Sequence, residues 1–191
     1  FFLWSCIFQG LPLPPASRQT SSLDFPVLAA VPSNAAMAKC TCSLSGEGTG
    51  SISGSLRLSQ LSEDAATIID GELKGLTPGK HAISVNTFAD ITQGAAGCGN
   101  IFNPFGKNHG APEDEERMAG DLGNVLVGED GKCLVHIEDK VLKLIGPHSV
   151  IGRSIVVYSG EDDCGRGGHE LSLTTGNSGA RVASGVIGIA P

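Results

Sequence analysis

Residues 39–44 read Lys-Cys-Thr-Cys-Ser-Leu, and residues 52–58 read Ile-Ser-Gly-Ser-Leu-Arg-Leu. In both segments polar residues alternate with apolar or small ones, which is the pattern of a half-buried β-strand. Residues 48–50, Gly-Thr-Gly, lie between the two segments and favour a tight turn. These segments therefore predict a β-hairpin, and with it a β-rich fold.

The same alternation recurs along the rest of the chain. Six further strands are expected at residues 66–75, 80–87, 125–127, 133–137, 154–159 and 182–189. Two long connections interrupt this pattern, residues 88–124 and 160–180, and long loops in a compact domain usually carry function. We predict an all-β protein, an eight-stranded Greek-key β-barrel or sandwich (immunoglobulin-like) with two long loops.

Composition agrees with this fold and excludes several partners. Glycine accounts for 27 of the 191 residues and aromatic residues for only 5%, which favours a turn-rich β protein of one domain. The chain has 13 Lys and Arg against 20 Asp and Glu, a net charge of −7, and no basic run. We therefore expect no nucleic-acid partner. No stretch of 18 apolar residues exists, so we expect no membrane partner.

The first 36 residues have a different composition. They hold five prolines and only one Arg and one Asp. We expect residues 1–37 to form an N-terminal extension that is disordered or not part of the mature protein, and residues 38–191 to form the folded domain. The extension is the remnant of a targeting segment, a translated upstream region before Met37, or a docking tail. Of these alternatives we favour the upstream region.

The cysteines indicate the compartment. Six cysteines form no Cys-x-x-Cys pair and do not resemble a secreted disulfide scaffold. We expect a cytoplasmic protein, or a secreted or organellar one if residues 1–36 belong to a targeting segment. Cys40 and Cys42 share one strand face, and thiolates favour Cu(I), which raises the alternative of a copper-handling protein. The strand pattern, however, directs both sulfurs to the core.

Several blocks of sequence together resemble one family. They are residues 75–81 (Gly-Leu-Thr-Pro-Gly-Lys-His), 102–104 (Phe-Asn-Pro), 109–110 (His-Gly), 114–117 (Asp-Glu-Glu-Arg), 120–124 (Gly-Asp-Leu-Gly-Asn), 151–157 (Ile-Gly-Arg-Ser-Ile-Val-Val), 176–181 (Gly-Asn-Ser-Gly-Ala-Arg) and 185–190 (Gly-Val-Ile-Gly-Ile-Ala). Over residues 39–190 the chain resembles the copper/zinc superoxide dismutases. Residues 160–169 also resemble the dismutase-like domain of the copper chaperone for this enzyme. The resemblance implies a Greek-key barrel with a copper and a zinc site.

At the copper site the resemblance implies four histidine ligands. The corresponding positions here are Ser84, Asn86, Ile101 and Tyr158. None of these side chains replaces an imidazole, which suits copper in both of its oxidation states. We therefore expect no bound copper.

At the zinc site the resemblance implies three histidines and one aspartate. Ile101 and Met118 stand at two of the histidine positions, while His109 and Asp121 remain. We expect no zinc, or weak zinc binding at most, with His109 and Asp121 forming a hydrogen-bonded pair that supports the loop. Asp162 corresponds to the family's carboxylate between the two metal sites, and without ligands to orient we expect it to be a simple loop acid.

The resemblance also implies roles for Arg181 and Cys98 and a disulfide partner at the position of Ser184. Arg181 corresponds to the residue that guides the superoxide anion, and we expect it to bond loop carbonyls. Cys98 corresponds to the family's loop cysteine, but Ser184 stands at its partner position, so we expect no disulfide. Without zinc or the disulfide, we expect residues 91–119 to be mobile. His81 is expected to bond to backbone.

These substitutions predict a pseudoenzyme: a superoxide dismutase-like protein without catalytic residues, kept as a binding or structural paralogue. The alternatives are an active copper/zinc superoxide dismutase, which converts superoxide to oxygen and hydrogen peroxide, and a copper-handling or chaperone-like protein. The family dimerises through its C-terminal strand and the segment around Ile151 and Gly152, which are both present. We therefore expect a homodimer, or a heterodimer with an active superoxide dismutase.

Overall fold

The computed structural model describes residues 37–46 and 52–191, which form an almost entirely β structure. The strands are β1 (Ala38–Gly46), β2 (Ser53–Gln60), β3 (Thr67–Lys74), β4 (Gly79–Asn86), β5 (Thr92–Ala95), β6 (Asp121–Val127), β7 (Lys132–Asp139), β8 (Ser154–Tyr158) and β9 (Arg181–Ile189). A 3₁₀ turn at Ala96–Cys98 and one helix, α1 (Ser172–Thr175), complete the described elements. No described helix has the length and apolar character needed to cross a membrane.

Eight of the strands form one antiparallel sheet in the order β6-β4-β8-β9-β1-β2-β3-β7. Its edge strands, β6 and β7, are joined by a tight turn in which the Gly128 amide donates to the Lys132 carbonyl at 2.9 Å, so the sheet curls into a nearly closed barrel. Strands β3 and β4 follow each other in sequence but are not neighbours in the sheet, where β8, β9, β1 and β2 lie between them. Such a crossing connection is the mark of a Greek key. The eight-stranded Greek-key prediction is confirmed. Strand β5 and α1 lie inside the two long loops and were not expected.

The opening hairpin forms as its alternation predicts. In β1 and β2, Cys42 lies opposite Leu56, and the alternate residues point into the barrel. The turn at residues 48–50 lies outside the described part of the chain. Cys40 and Cys42 are both buried in the apolar core, which confirms their predicted orientation. Burial raises the pKa of the Cys42 thiol to about 12, so it carries no thiolate near neutral pH.

A buried glutamine anchors the segment after β7 to the barrel. The Gln60 side-chain amide donates to the carbonyls of Glu63 and Ala65, at 3.2 and 2.9 Å. Its oxygen accepts from the amides of Leu144 and Ile145, at 2.7 and 2.9 Å. All four hydrogen-bonding positions of the side chain are therefore used, which offsets the cost of burying it.

The first long loop is bonded to the end of β4. The Val85 amide donates to the Gly120 carbonyl, and the Val85 carbonyl accepts from the Phe102 amide, both at 2.9 Å. A side chain at Gly120 would collide with the Val85 carbonyl, so the close approach requires glycine. This contact places Ile101 beside Asn86 at the end of the barrel, where the candidate site lies. Mobility of residues 91–119 stays a prediction.

Candidate functional site

Three polar side chains meet inside the barrel end. Ser84 and Asn86 project from β4, and Tyr158 ends the neighbouring strand β8. Ser84 Oγ lies 2.7 Å from Asn86 Oδ1 and 3.2 Å from the Tyr158 hydroxyl, and Asn86 Nδ2 donates to the Gly99 carbonyl at 2.8 Å. Because Ser84 has a single hydroxyl proton, which it gives to Asn86, the Tyr158 hydroxyl donates to Ser84 Oγ. All three side chains are buried and mutually satisfied.

The fourth residue of this region is apolar. Ile101 is buried and pairs in an isolated bridge with Asn86. The structure thus brings together all four residues at the copper positions of the resemblance, and they offer two hydroxyls, one amide and one alkyl group. This set contains no imidazole and does not fit copper, which favours nitrogen and sulfur donors.

A second buried group is a histidine that lies between two carboxylates. His109 Nδ1 is 2.7 Å from Asp121 Oδ1, and His109 Nε2 is 2.7 Å from Asp162 Oδ1. The three side chains are 3% exposed or less. Ionised carboxylates only accept hydrogen bonds, so both ring nitrogens donate and the imidazole is doubly protonated.

The electrostatics of this cluster agree with a charged imidazole. Burial alone would lower the pKa of His109, because it disfavours the charged form. The hydrogen bonds and negative charges of Asp121 and Asp162 oppose this effect and raise the pKa to about 9. The imidazolium and its two carboxylates therefore form one charged, buried unit at neutral pH.

Backbone amides also donate to both carboxylates. Asp121 Oδ2 accepts from the Gly110 and Met118 amides, at 3.2 and 2.8 Å. Asp162 Oδ1 also accepts from the Cys164 amide at 2.7 Å. The expectation that Asp162 is a simple loop acid is wrong, because this carboxylate is buried and bonds directly to His109.

The side-chain amide of Asn124 bonds the backbone of Asp162, the second of the two carboxylate residues. Asn124 Oδ1 accepts from the Asp162 amide at 2.7 Å, and Asn124 Nδ2 donates to the Asp162 carbonyl at 2.9 Å. This reciprocal pair joins β6 to the second long loop. Sequence analysis did not identify Asn124 as a site residue, because nothing in the local pattern indicates a partner 38 residues away.

The zinc position can be tested on the donors present. Both nitrogens of His109 are bonded to carboxylates, and Met118 bonds to Asp121 through its backbone amide and carbonyl. Within residues 37–46 and 52–191, no group of three or more His, Cys, Asp or Glu side chains is arranged to hold a metal ion. These donors do not fit the four-ligand tetrahedral set that structural zinc requires.

Two arginines bond backbone carbonyls near the candidate site, Arg181 opposite Tyr158 in the sheet and Arg117 next to the His109 cluster. Arg181 Nη1 donates to the Ala95 carbonyl at 2.8 Å and so joins β9 to β5. Arg117, which sequence analysis did not single out, donates to the Asp121 carbonyl at 2.8 Å and pairs with Asp139 at 2.7 Å. The Arg117–Asp139 pair is buried. An arginine in an otherwise acidic block, residues 114–117, was the sequence signal available for it.

The remaining predicted positions are also placed. Cys98 is buried at the end of the 3₁₀ turn and Ser184 is buried in β9. Cys98 is one of five free cysteines in the described residues. The His81 ring lies 2.8 Å from the Tyr158 carbonyl and 2.9 Å from the Thr77 carbonyl, so the expected backbone contact of His81 is confirmed.

By fold, the protein is a Greek-key β-barrel that carries its candidate site where two long loops meet. Residues 52–187 match the family model described as copper/zinc superoxide dismutase (SODC), which covers well over half of the chain. The chain therefore belongs to the copper/zinc superoxide dismutase family.

Proposed function

We propose that this chain is a non-catalytic member of its family, which has lost the copper ligands and most of the zinc ligands and acts as a binding or structural paralogue. The observation that carries the proposal is the buried hydrogen-bonded group of Tyr158, Ser84 and Asn86. These side chains satisfy one another at the positions where the resemblance implies copper ligands.

The chemistry of dismutation requires a centre that both accepts and donates an electron. A copper ion can do so when its ligands bind both oxidation states, as imidazoles do. Hydroxyl, amide and alkyl groups do not meet this requirement. Function follows the site and not the fold, so family membership alone does not supply the activity.

The arginine that the resemblance assigns to anion guidance has a structural contact here. Arg181 bonds the Ala95 carbonyl, and this bond gives the residue a reason to persist without superoxide as a substrate. The alternative of a copper-handling protein is disfavoured by burial, which raises the pKa values of both the Cys40 and Cys42 thiols.

The proposal includes a partner. An apolar residue of β9, Ile189, is 79% exposed, and Ile151 is half-buried close to the barrel surface. Both lie in the segments that the resemblance implies for dimerisation, so we propose a homodimer or a heterodimer with an active superoxide dismutase. We also propose a cytoplasmic location, where free cysteines remain reduced.

Light scattering on a sizing column tests the partner proposal. Wild type is expected to run as a dimer at micromolar concentration, or to co-elute with an active dismutase, and Ile189→Lys to run as a monomer. A wild type that stays monomeric alone and with the active relative would contradict this proposal.

Elemental analysis and a dismutation assay, both after loading with copper and zinc, test the catalytic proposal. The expected result is no stoichiometric metal and no activity. The matched control is the variant S84H/N86H/I101H/Y158H, which restores the implied copper ligands in the same barrel and is expected to retain copper. Copper bound to wild type with dismutase activity would overturn the proposal.

A further inference from the structure

One imidazole joins three separate parts of the chain. His109 belongs to the first long loop, Asp121 begins β6, and Asp162 belongs to the second long loop. The two carboxylates are 12 and 53 residues from His109 in sequence. Each hydrogen bond is 2.7 Å long and buried, so both loops are bonded to the barrel end through one side chain.

Additional contacts between the two loops surround this imidazole. The His109 amide donates to the Leu173 carbonyl at 3.0 Å. Arg166 Nη2 lies 2.7 and 3.0 Å from the two carboxylate oxygens of Asp114. The two long loops therefore contact each other both at the buried His109 and at the exposed Arg166–Asp114 pair.

Glycine at position 176 allows the second loop to close over the cluster. A side chain there would collide with the Asp162 carboxylate and would reach within 2.6 Å of His109 Nε2. Its φ of 65° also lies in the left-handed region that favours glycine. The backbone is thus packed directly against the imidazole–carboxylate contact.

The imidazole of this cluster offers no donor atom to an ion. The doubly bonded imidazole has no free lone pair, Asp121 accepts three hydrogen bonds, and Asp162 accepts two. An ion that took His109 as a ligand would have to displace a ring proton and one of the two hydrogen bonds of the imidazole.

We propose that His109 is a metal-independent clamp, in which one imidazole bonded to Asp121 and Asp162 keeps the two long loops closed at the position where the resemblance implies zinc. The inference concerns loop closure alone and stands whether or not the protein dismutates superoxide.

Hydrogen–deuterium exchange of the full chain tests the clamp. Amides of residues 107–119 and 162–178 are compared in wild type before and after treatment with EDTA, and in His109→Gln. Exchange in wild type is expected to be unchanged by EDTA, while His109→Gln raises it about tenfold or more in both loops. The matched control is His136→Gln, because His136 also pairs with an aspartate, Asp70, at 2.6 Å, but on the exposed barrel surface. This control is expected to leave both loops unchanged.

A milder variant keeps the test decisive if His109→Gln does not fold. Asp162→Asn retains the size of the side chain and replaces the ion pair with the imidazolium by a weaker hydrogen bond to an uncharged amide. Its loop exchange is expected to rise above that of wild type. Two results would overturn the clamp: EDTA opening the loops of wild type, or His109→Gln and Asp162→Asn both exchanging like wild type.

Discussion

Raising the pH from 6 to 10 should remove the stabilisation that the charged His109 contributes. Its pKa is about 9 in the folded protein against 6.5 in the unfolded chain. A difference of about 2.5 units corresponds to about 3 kcal/mol of unfolding free energy, at ~1.4 kcal/mol for each unit. Because the folded pKa is the higher one, this stabilisation is fully present below pH 6.5 and is lost as the pH rises through 9.

Urea unfolding at pH 6, 7, 8, 9 and 10 measures this effect. Other groups titrate over the same range, so the informative quantity is the difference in unfolding free energy between wild type and His109→Gln at each pH. That difference is expected to shrink by about 3 kcal/mol from pH 6 to pH 10. The variant also loses contacts that do not depend on pH, and these add a constant offset only.

Two results would refute the reasoning. A difference that stays constant from pH 6 to pH 10 would mean that the two carboxylates do not raise the pKa of His109 above its value in the unfolded chain. A difference that stops shrinking well below pH 9 would mean that the two carboxylates raise its pKa by much less than expected. Histidine NMR chemical shifts across the same range locate the titration directly.

Three further predictions concern the scaffold of the site. Gly176→Ala should lower the unfolding free energy by more than about 2 kcal/mol, because the added methyl group collides with the Asp162 carboxylate and φ is positive. The control Gly168→Ala has a φ of 72° and open space around it, and should cost only about 1 kcal/mol. Equal losses of stability in thermal melts of the two variants would contradict the collision. Gln60→Leu should cost roughly 1–3 kcal/mol, because it leaves the buried Leu144 amide and the partly buried Ile145 amide without their acceptor, and a loss under about 0.5 kcal/mol in urea unfolding would contradict this. Arg117→Met should cost roughly 3–5 kcal/mol by leaving the Asp139 carboxylate buried without its cation, and R117M/D139N, which keeps an acceptor for the Val141 and Leu142 amides, should regain part of this loss; a double variant no more stable than the single one would argue against the buried pair.

Much of the barrel could be predicted because strand alternation is a local property. In β1, for example, the burial of Cys40, Cys42 and Leu44 follows directly from their spacing. Strand β5, with the sequence Thr-Gln-Gly-Ala, has no such alternation, and α1 is only four residues long. Both elements form within loops that are fixed by distant contacts, so local sequence gave no signal for them.

The candidate site divides in the same way. The residues at the implied metal positions, such as Ser84 and Tyr158, could be read from the sequence by resemblance. Their mutual hydrogen bonds could not, since they join residues 74 positions apart. Asp162 is the clearest case: considered alone it resembled an ordinary loop acid, and its bond to His109 exists only because the second loop folds over the first.

The sequence by itself therefore determined the class of fold, the family resemblance and the absence of histidine at the four implied copper positions, Ser84, Asn86, Ile101 and Tyr158. Only the tertiary structure decided what these residues and their neighbours do instead. The physical reason is that burial removes water as an alternative partner, so each polar group must find another within reach. Which group lies within reach is set by the closure of the barrel and its two loops, and here that closure places His109 between Asp121 and Asp162.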